Sequence, residues 1–254
     1  MVFYFTGTGN SLYAARQFGD ELVSIPQVMR GAERKFAAES IGVVTPVYGH
    51  EVPPMVRGFL RECTFETEYF YMVLTYGCRH GGAAELAKAL CDECGVRVDY
   101  INTLHMVDNW LPSFDMDAEH AMDKHIPEQL AAITADVAAR KRAVSPVTEE
   151  DRAAHREYMR SISGVPEALW QQLVTVTDRC VGCGVCTRVC PADCMVLKDG
   201  RAMHVPGSCQ DCLACVHACP HKAIALAMPE KNPDARYRNE HVTLQDLIAA
   251  NGRV

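Results

Sequence analysis

Two cysteine runs constrain this chain more tightly than anything else in it. Cys180, Cys183, Cys186 and Cys190 are followed by Pro191, and Cys209, Cys212, Cys215 and Cys219 by Pro220, each member of the second run lying 29 residues after its counterpart. A constant offset at every position marks a duplicated half-site. Whatever the fold, it must gather eight sulfurs into two similar arrangements.

The chemistry of sulfur narrows the choice. Thiolates are soft ligands suited to iron–sulfur clusters, and three cysteines spaced three apart let one short loop offer three corners to a cubane. Structural zinc calls instead for paired CxxC units closing four ligands around one ion, and disulfide frameworks belong to small secreted chains. From Val174 to Met228 the sequence resembles a bacterial two-cluster ferredoxin domain. In that family the cysteine preceding proline ligates the other cluster. The resemblance therefore implies one [4Fe-4S] cluster on Cys180, Cys183, Cys186 and Cys219, and another on Cys209, Cys212, Cys215 and Cys190. Proline at those points removes a backbone donor and turns the chain away. Cys194 falls opposite Ala223 in the repeat and reads as a buried packing thiol rather than a ninth ligand. Met195 to Met203 reads as a hairpin around Asp199-Gly200.

In a chain of 254 residues this leaves room for a further domain of ordinary size before the cysteines. Hydrophobic residues make up 48% and charged residues 22%, and no apolar run approaches the ~18 residues of a membrane span. Met1 to Phe5 is apolar, but without a basic leader it reads as a strand rather than a signal peptide. Oxygen-sensitive clusters favour a reducing compartment, so the expected location is cytoplasmic. The net charge of −7 argues against nucleic acid as a partner. Val174 to Met228 carries five bases and four acids, a formal +1, yet each oxidised cubane with its thiolates adds about −2. Redox partner proteins, an electron donor and an acceptor, would meet a more negative surface than the formal count states.

Before the cysteines, strand and helix patterns alternate. Strands are expected at Val2–Thr6, Ile41–Tyr48, Tyr69–Tyr76 and Val96–Met106, with a weaker one at Leu22–Val28. Helices are expected at Ser11–Asp20, Pro53–Arg61, Ala83–Cys94 and Asp117–Arg142. Such alternation implies a parallel sheet covered on both faces, with ligands at the carboxyl ends of its strands.

The first of those ends reads Thr6-Gly7-Thr8-Gly9-Asn10-Ser11. Glycines permit a tight turn, while hydroxyls, backbone N–H groups and a following helix favour an anion, so a phosphate site is the natural reading. Leu12 occupies the third glycine position of a dinucleotide fingerprint, and no Gly-Lys-Ser/Thr is present. The turn resembles the phosphate loop of flavodoxins, which holds FMN without lysine or metal. Two further strand ends extend the resemblance. Pro46-Val47-Tyr48-Gly49 lies where flavodoxins place a stacking aromatic and a glycine that can flip toward the flavin. Thr75-Tyr76-Gly77-Cys78 corresponds to the second loop around the isoalloxazine ring. Read singly, Tyr48 and Tyr76 are either flavin-stacking rings or strand-end caps. The tryptophan common in flavodoxin stacking loops is absent. Trp110 either reaches the site from the last strand end or packs elsewhere. His50 and His80 are either proton donors or solvated histidines, and Cys63, Cys91 and Cys94 read as unreactive thiols.

The whole chain resembles flavodoxin–ferredoxin fusion proteins of anaerobes. The fold implied is α/β, a flavodoxin-like doubly wound five-stranded parallel sheet plus a small α+β two-cluster ferredoxin domain. Its expected parts are residues 1–143 (FMN-binding), 144–172 (linker helix), 173–228 (ferredoxin) and 229–254 (a tail whose short helix, capped at Thr243, docks on the first domain). Two functions follow from the resemblance. One is an electron-transfer iron–sulfur flavoprotein passing single electrons between the clusters, FMN and redox partners. The other is a flavin-dependent reductase acting on its own small-molecule substrate with electrons supplied through the clusters. Neither has an NAD(P)-binding motif to draw on.

Overall fold

The computed structural model describes residues 1–166, 169 and 172–252. Part of the expected linker, with Trp170, lies outside the described residues, as do the last two residues of the chain. The chain divides into two compact units: Met1–Phe5, Asn10–Val107 and Lys124–Ile162 form one, and Thr6–Gly9, Asp108–Asp123 and Ser163–Val254 the other. Among the described residues no helix is long and apolar enough to cross a membrane.

The first unit is built on β1 (Val2–Tyr4), β2 (Leu22–Ser24), β4 (Ser40–Pro46), β6 (Tyr69–Tyr76), β7 (Tyr100–His105) and β8 (Ala143–Val144). They form one sheet in the order β2-β1-β4-β6-β7-β8, and every pairing is parallel. This is a doubly wound order, with its switch point between β1 and β4. The sheet has six strands rather than the expected five, because Ala143 and Val144 pair with Tyr100 and Ile101 at the edge. Two residues are too few to show as a periodic pattern. β6 is buried from Tyr69 to Thr75, as a central parallel strand covered on both faces must be.

Two short strands escaped the sequence pattern altogether. β3 (Lys35–Ala37) and β5 (Thr64–Glu66) pair in parallel with each other, each carrying one phenylalanine between less apolar neighbours. Those rings join a cluster around Phe3, with centroids 4.8 Å from Phe36 and 4.9 Å from Phe59, and Phe59 lies 5.3 Å from Phe65. The helices of this unit are α1 (Asn10–Ala15), α2 (Ile25–Arg30), α3 (Pro54–Glu62), α4 (Ala83–Glu93), α6 (Ile126–Ala138) and α7 (Glu149–Ile162). α1 packs on β1 and β4, α2 on α3, and α4 and α6 on β7.

The weak strand expected over Leu22–Val28 stops at Ser24, whose hydroxyl caps α2 by accepting from Gln27 N–H. The long helix expected over Asp117–Arg142 is two. α5 (Met116–Ala121) ends before a turn in which His125 is left-handed at φ 51°, and α6 restarts with Pro127 in its first turn. Proline has no N–H for the preceding turn and disfavours helical backbone in the residue before it.

One position in the sheet is set by glycine alone. Gly42 lies directly opposite Tyr71, and a Cβ there would stand 2.2 Å from the tyrosine ring. Gly42→Ala is expected to cost about 2 kcal/mol by overpacking, read as a lower urea midpoint, while Tyr71→Leu in the same background recovers part of the loss.

The second unit carries α5 and the cysteine runs. β9 (Val174–Val176) pairs antiparallel with β12 (Ile224–Leu226), and β10 (Met195–Lys198) with β11 (Arg201–His204). The turn of the latter hairpin has Asp199 and Gly200 at φ 50° and 75°, the left-handed pair that a two-residue hairpin requires. Short helices α8 (Val185–Val189) and α9 (Ala214–His217) pack on each other. α10 (Leu244–Asn251) starts from a capping box between Thr243 and Asp246 and packs on α8. Docking on the first domain was expected for this helix. Within its own unit it packs on α8, and Asn251 Nδ2 donates to Thr6 O, a residue of the expected first domain.

Candidate metal centres and the first-strand turn

The 29-residue repeat is also a repeat of backbone conformation. Gly182 and Asp211, Gly184 and Leu213, and Asp193 and Lys222 are three offset pairs, and all six residues have positive φ, between 47° and 73°. Residues on either side of the middle cysteine thus turn left-handed in both runs, which curls each loop around its sulfurs. Glycine adopts this freely in the first run, whereas Asp211 and Leu213 carry a cost in the second.

The eight cysteines sort into two cavities. Cys180, Cys183, Cys186 and Cys219 line one, and Cys190, Cys209, Cys212 and Cys215 line the other. Each cavity draws three sulfurs from one run and the cysteine preceding proline from the other. Backbone N–H groups point at the sulfurs: Cys194 N–H donates to Cys190 Sγ and Ala223 N–H to Cys219 Sγ, both at 3.2 Å, and Ala202 N–H to Cys180 Sγ at 3.3 Å. Such bonds stabilise thiolate and raise the reduction potential of a ligated cluster.

The repeat explains Cys194. It and Ala223 occupy equivalent positions and make the same backbone bond to the cysteine four residues before them. The Cys194 thiol is buried in the second cavity. It donates toward Cys190 and Cys209, which lowers both of their pKa values and raises its own. Burial raises the Cys212 and Cys215 thiols well above their ordinary value. Ionised sulfur at such depth requires compensating positive charge. A four-sulfur donor set of this kind, with Cys190 and Cys212 buried, fits iron.

The Thr6–Gly9 turn belongs to the same unit, and its side chains are buried. Thr6 Oγ1 accepts from Gly9 N–H at 3.1 Å, and Thr8 Oγ1 accepts from Asn109 Nδ2 at 2.8 Å. The chain's tail closes on the turn: Asn239 N–H donates to Thr8 O and Asn251 Nδ2 to Thr6 O, both at 2.9 Å. Gly9 has φ 106°, and a Cβ there would lie 3.0 Å from Asn239 and Val242, so no other residue fits. The sequence suggested that the tail docks on the first domain but not which residues meet, because each of these contacts is a single bond between distant segments.

In the first unit, Ser11 Oγ and Thr75 Oγ1 meet at 2.8 Å, joining two of the expected loops, and Asn10 Nδ2 donates to Val107 O at 3.0 Å. Val47 N–H donates to Thr75 O, and Tyr48 and Glu51 exchange backbone bonds across a tight turn. That turn needs Gly49 at φ 57°, where a Cβ would come 2.5 Å from the Tyr158 hydroxyl. Tyr76 stacks on His105 at 5.2 Å, and Cys78 is exposed.

Residues of α7, expected only as a linker, cluster beside these loops. The ring of His50 lies 4.9 Å from Tyr158 and 5.7 Å from His155, and His80 Nε2 is 3.6 Å from Asp151. Burial, then the neighbouring His155, Arg79 and His80, lower the pKa of His50. Only a linker helix was legible here beforehand. Elsewhere, burial pushes Cys63 to about 11 and Cys91 to about 12, consistent with inert thiols. Trp110 lies in the second unit, its N–H held by Asp108 Oδ1.

Comparison with known proteins bears on the cysteine region. Residues 179–224 match the family model of the 4Fe-4S dicluster domain. A ferredoxin of Pyrobaculum islandicum is 34% identical over 70 residues, 27% of this chain and 64% of the relative. One component of the Na(+)-translocating ferredoxin:NAD(+) oxidoreductase complex of Acetobacterium woodii is 44% identical over 52 residues, 20% of this chain and 15% of the relative. The chain thus spans less than two thirds of either. Among solved structures, the Trp repressor binding protein from Bacillus subtilis aligns over 41% of this chain and 84% of its own at 10% identity, with a TM-score of 0.29 that carries no argument. What the chain contains, on the domain match and these relatives, is a ferredoxin-type 4Fe-4S domain of the iron–sulfur electron-transfer kind.

Proposed function

We propose that this protein is a cytoplasmic iron–sulfur flavoprotein that carries single electrons between two [4Fe-4S] clusters, a bound FMN and redox partner proteins. The observation that carries the reading is the sorting of eight cysteines into two four-sulfur cavities across the repeat. In this reading Cys180, Cys183, Cys186 and Cys219 hold one cluster, and Cys209, Cys212, Cys215 and Cys190 the other. Flavodoxin-like architecture in the first unit is supported by the doubly wound strand order and by hydroxyl- and glycine-bearing turns after β4 and β6. Thr6 to Ser11 then receive the FMN phosphate, and Pro46 to Gly49 and Thr75 to Cys78 flank the ring. When bound, FMN exchanges one electron or two and so joins single-electron partners to pair chemistry. The protein's part is to bind, orient and desolvate. Buried hydroxyls receive the phosphate, and Gly49 leaves backbone beside the ring.

One observation favours the second reading, a reductase with its own substrate. His50, His155 and Tyr158 place exchangeable protons beside the Tyr48-Gly49 turn, as a reduction that also takes up protons needs. Dithionite-driven turnover separates the two. A carrier reduces partner proteins and leaves small acceptors untouched, whereas catalytic turnover of a small acceptor that falls at least ~10-fold in His155→Phe establishes the reductase.

Cys194 supplies a further prediction. Cys194→Ala is expected to retain about eight irons per chain, because the backbone N–H that residue 194 donates to Cys190 Sγ stays in place. A loss of about half the iron would make the thiol a ligand.

A further inference from the structure

Within the second unit a continuous set of hydrogen bonds runs from the second cysteine run to the turn after β1. His217 lies between Cys215 and Cys219 and is buried. Its Nδ1 accepts from Tyr237 N–H at 3.1 Å, and its Nε2 meets Asn109 O at 2.9 Å. A backbone amide only donates and a carbonyl only accepts, so the ring is fixed as the tautomer with its proton on Nε2. The Asn109 side chain continues the line by donating from Nδ2 to Thr8 Oγ1 at 2.8 Å.

Asn109 has little freedom to do anything else. On one side, Asp108 N–H donates to Glu119 Oε2 at 3.1 Å, and Glu119 is buried. On the other, Trp110 N–H donates to Asp108 Oδ1 at 2.9 Å. With its neighbours tied and its carbonyl held by His217, Asn109 presents its amide to Thr8 from a rigid mount. A donor to Thr8 Oγ1 also orients that hydroxyl, leaving its own proton directed away from Asn109.

We propose that Asn109 is a coupling residue, fastening the Thr6–Gly9 turn to the second cysteine run through His217, so that phosphate occupancy of the turn and retention of iron by that run are energetically linked. This rests on the FMN reading above. Linkage is reciprocal: if FMN strengthens the hold on iron, bound iron strengthens the hold on FMN by the same factor.

The test is iron release to a chelator, followed anaerobically on flavin-stripped, iron-loaded full-length protein with and without saturating FMN, and with inorganic phosphate as a second probe. Wild type is expected to release about half its iron at least ~5-fold more slowly with FMN, the lower end of usual coupling, and phosphate is expected to give a smaller effect of the same sign. Asn109→Ala and His217→Leu should load iron yet lose the FMN effect. His217→Gln, which keeps an acceptor and a donor on one planar group, should retain it. Asn232→Ala, which removes a different bond in this unit, to Asp115, should leave it unchanged. An undiminished FMN effect in both Asn109→Ala and His217→Leu overturns the coupling while leaving the flavin reading intact, as does FMN binding with no effect on iron in wild type. If wild type binds no FMN, the reading and the coupling fall together.

Discussion

Replacing Cys219 with alanine is expected to remove the cluster of the first cysteine run, not of the second, taking iron from about eight to about four per chain. The prediction follows from the cavities: Cys219 lines the one containing Cys180, Cys183 and Cys186, although it is close in sequence to Cys215. Double variants decide the point. Cys183→Ala with Cys219→Ala strikes the same cavity twice and should leave about four irons, whereas Cys212→Ala with Cys219→Ala strikes both and should leave almost none. Were ligands taken from each run alone, the two doubles would exchange outcomes. Losing the iron also removes the binding free energy that the cluster contributes to folding, so each empty cavity should lower stability.

Gly182→Ala is expected to damage the same cluster from the backbone side. Gly182 and Gly200 have nearly the same left-handed φ, 71° and 75°, but a Cβ on Gly182 would lie 2.1 Å from Gly200 O, while one on Gly200 meets nothing within 4 Å. The pair therefore separates conformation from contact. Gly200→Ala should cost about 1 kcal/mol for the left-handed backbone alone. Gly182→Ala adds a collision with a carbonyl that cannot rotate away, for a total of about 3 kcal/mol. Loss of iron–sulfur absorbance during an anaerobic urea titration reads both. Equal midpoints for the two variants would show that the hairpin yields and that the close approach is unimportant.

Both predictions depend on the duplicated loop, and that loop was legible because its signals are local and repeated. Spacing places the sulfurs, proline marks the exits, and the offset sets Cys194 against Ala223. The hairpin at Asp199-Gly200, the boundaries of β6 and the helix cap at Thr243 were legible for the same reason, since each is decided within a few residues. Features decided by distant contacts were not. β3 and β5 bury one phenylalanine each and have no period of their own. His125 and Pro127 break what hydrophobicity alone presents as one helix. The exposed surface of α7 gave no hint that His155 and Tyr158 gather at His50, nor did the tail's composition foretell Asn239 and Asn251 closing on the Thr6–Gly9 turn. The candidate flavin loops fall between these extremes: their glycines and hydroxyls are local signals, while the residues packed against them come from elsewhere in the chain.

The central claim is that one chain holds both kinds of redox centre. Its most direct test is the content of iron, acid-labile sulfide and flavin in protein purified anaerobically and equilibrated with FMN. The account predicts about eight irons, about eight sulfides and about one FMN per chain. Full iron with no retained flavin would contradict it.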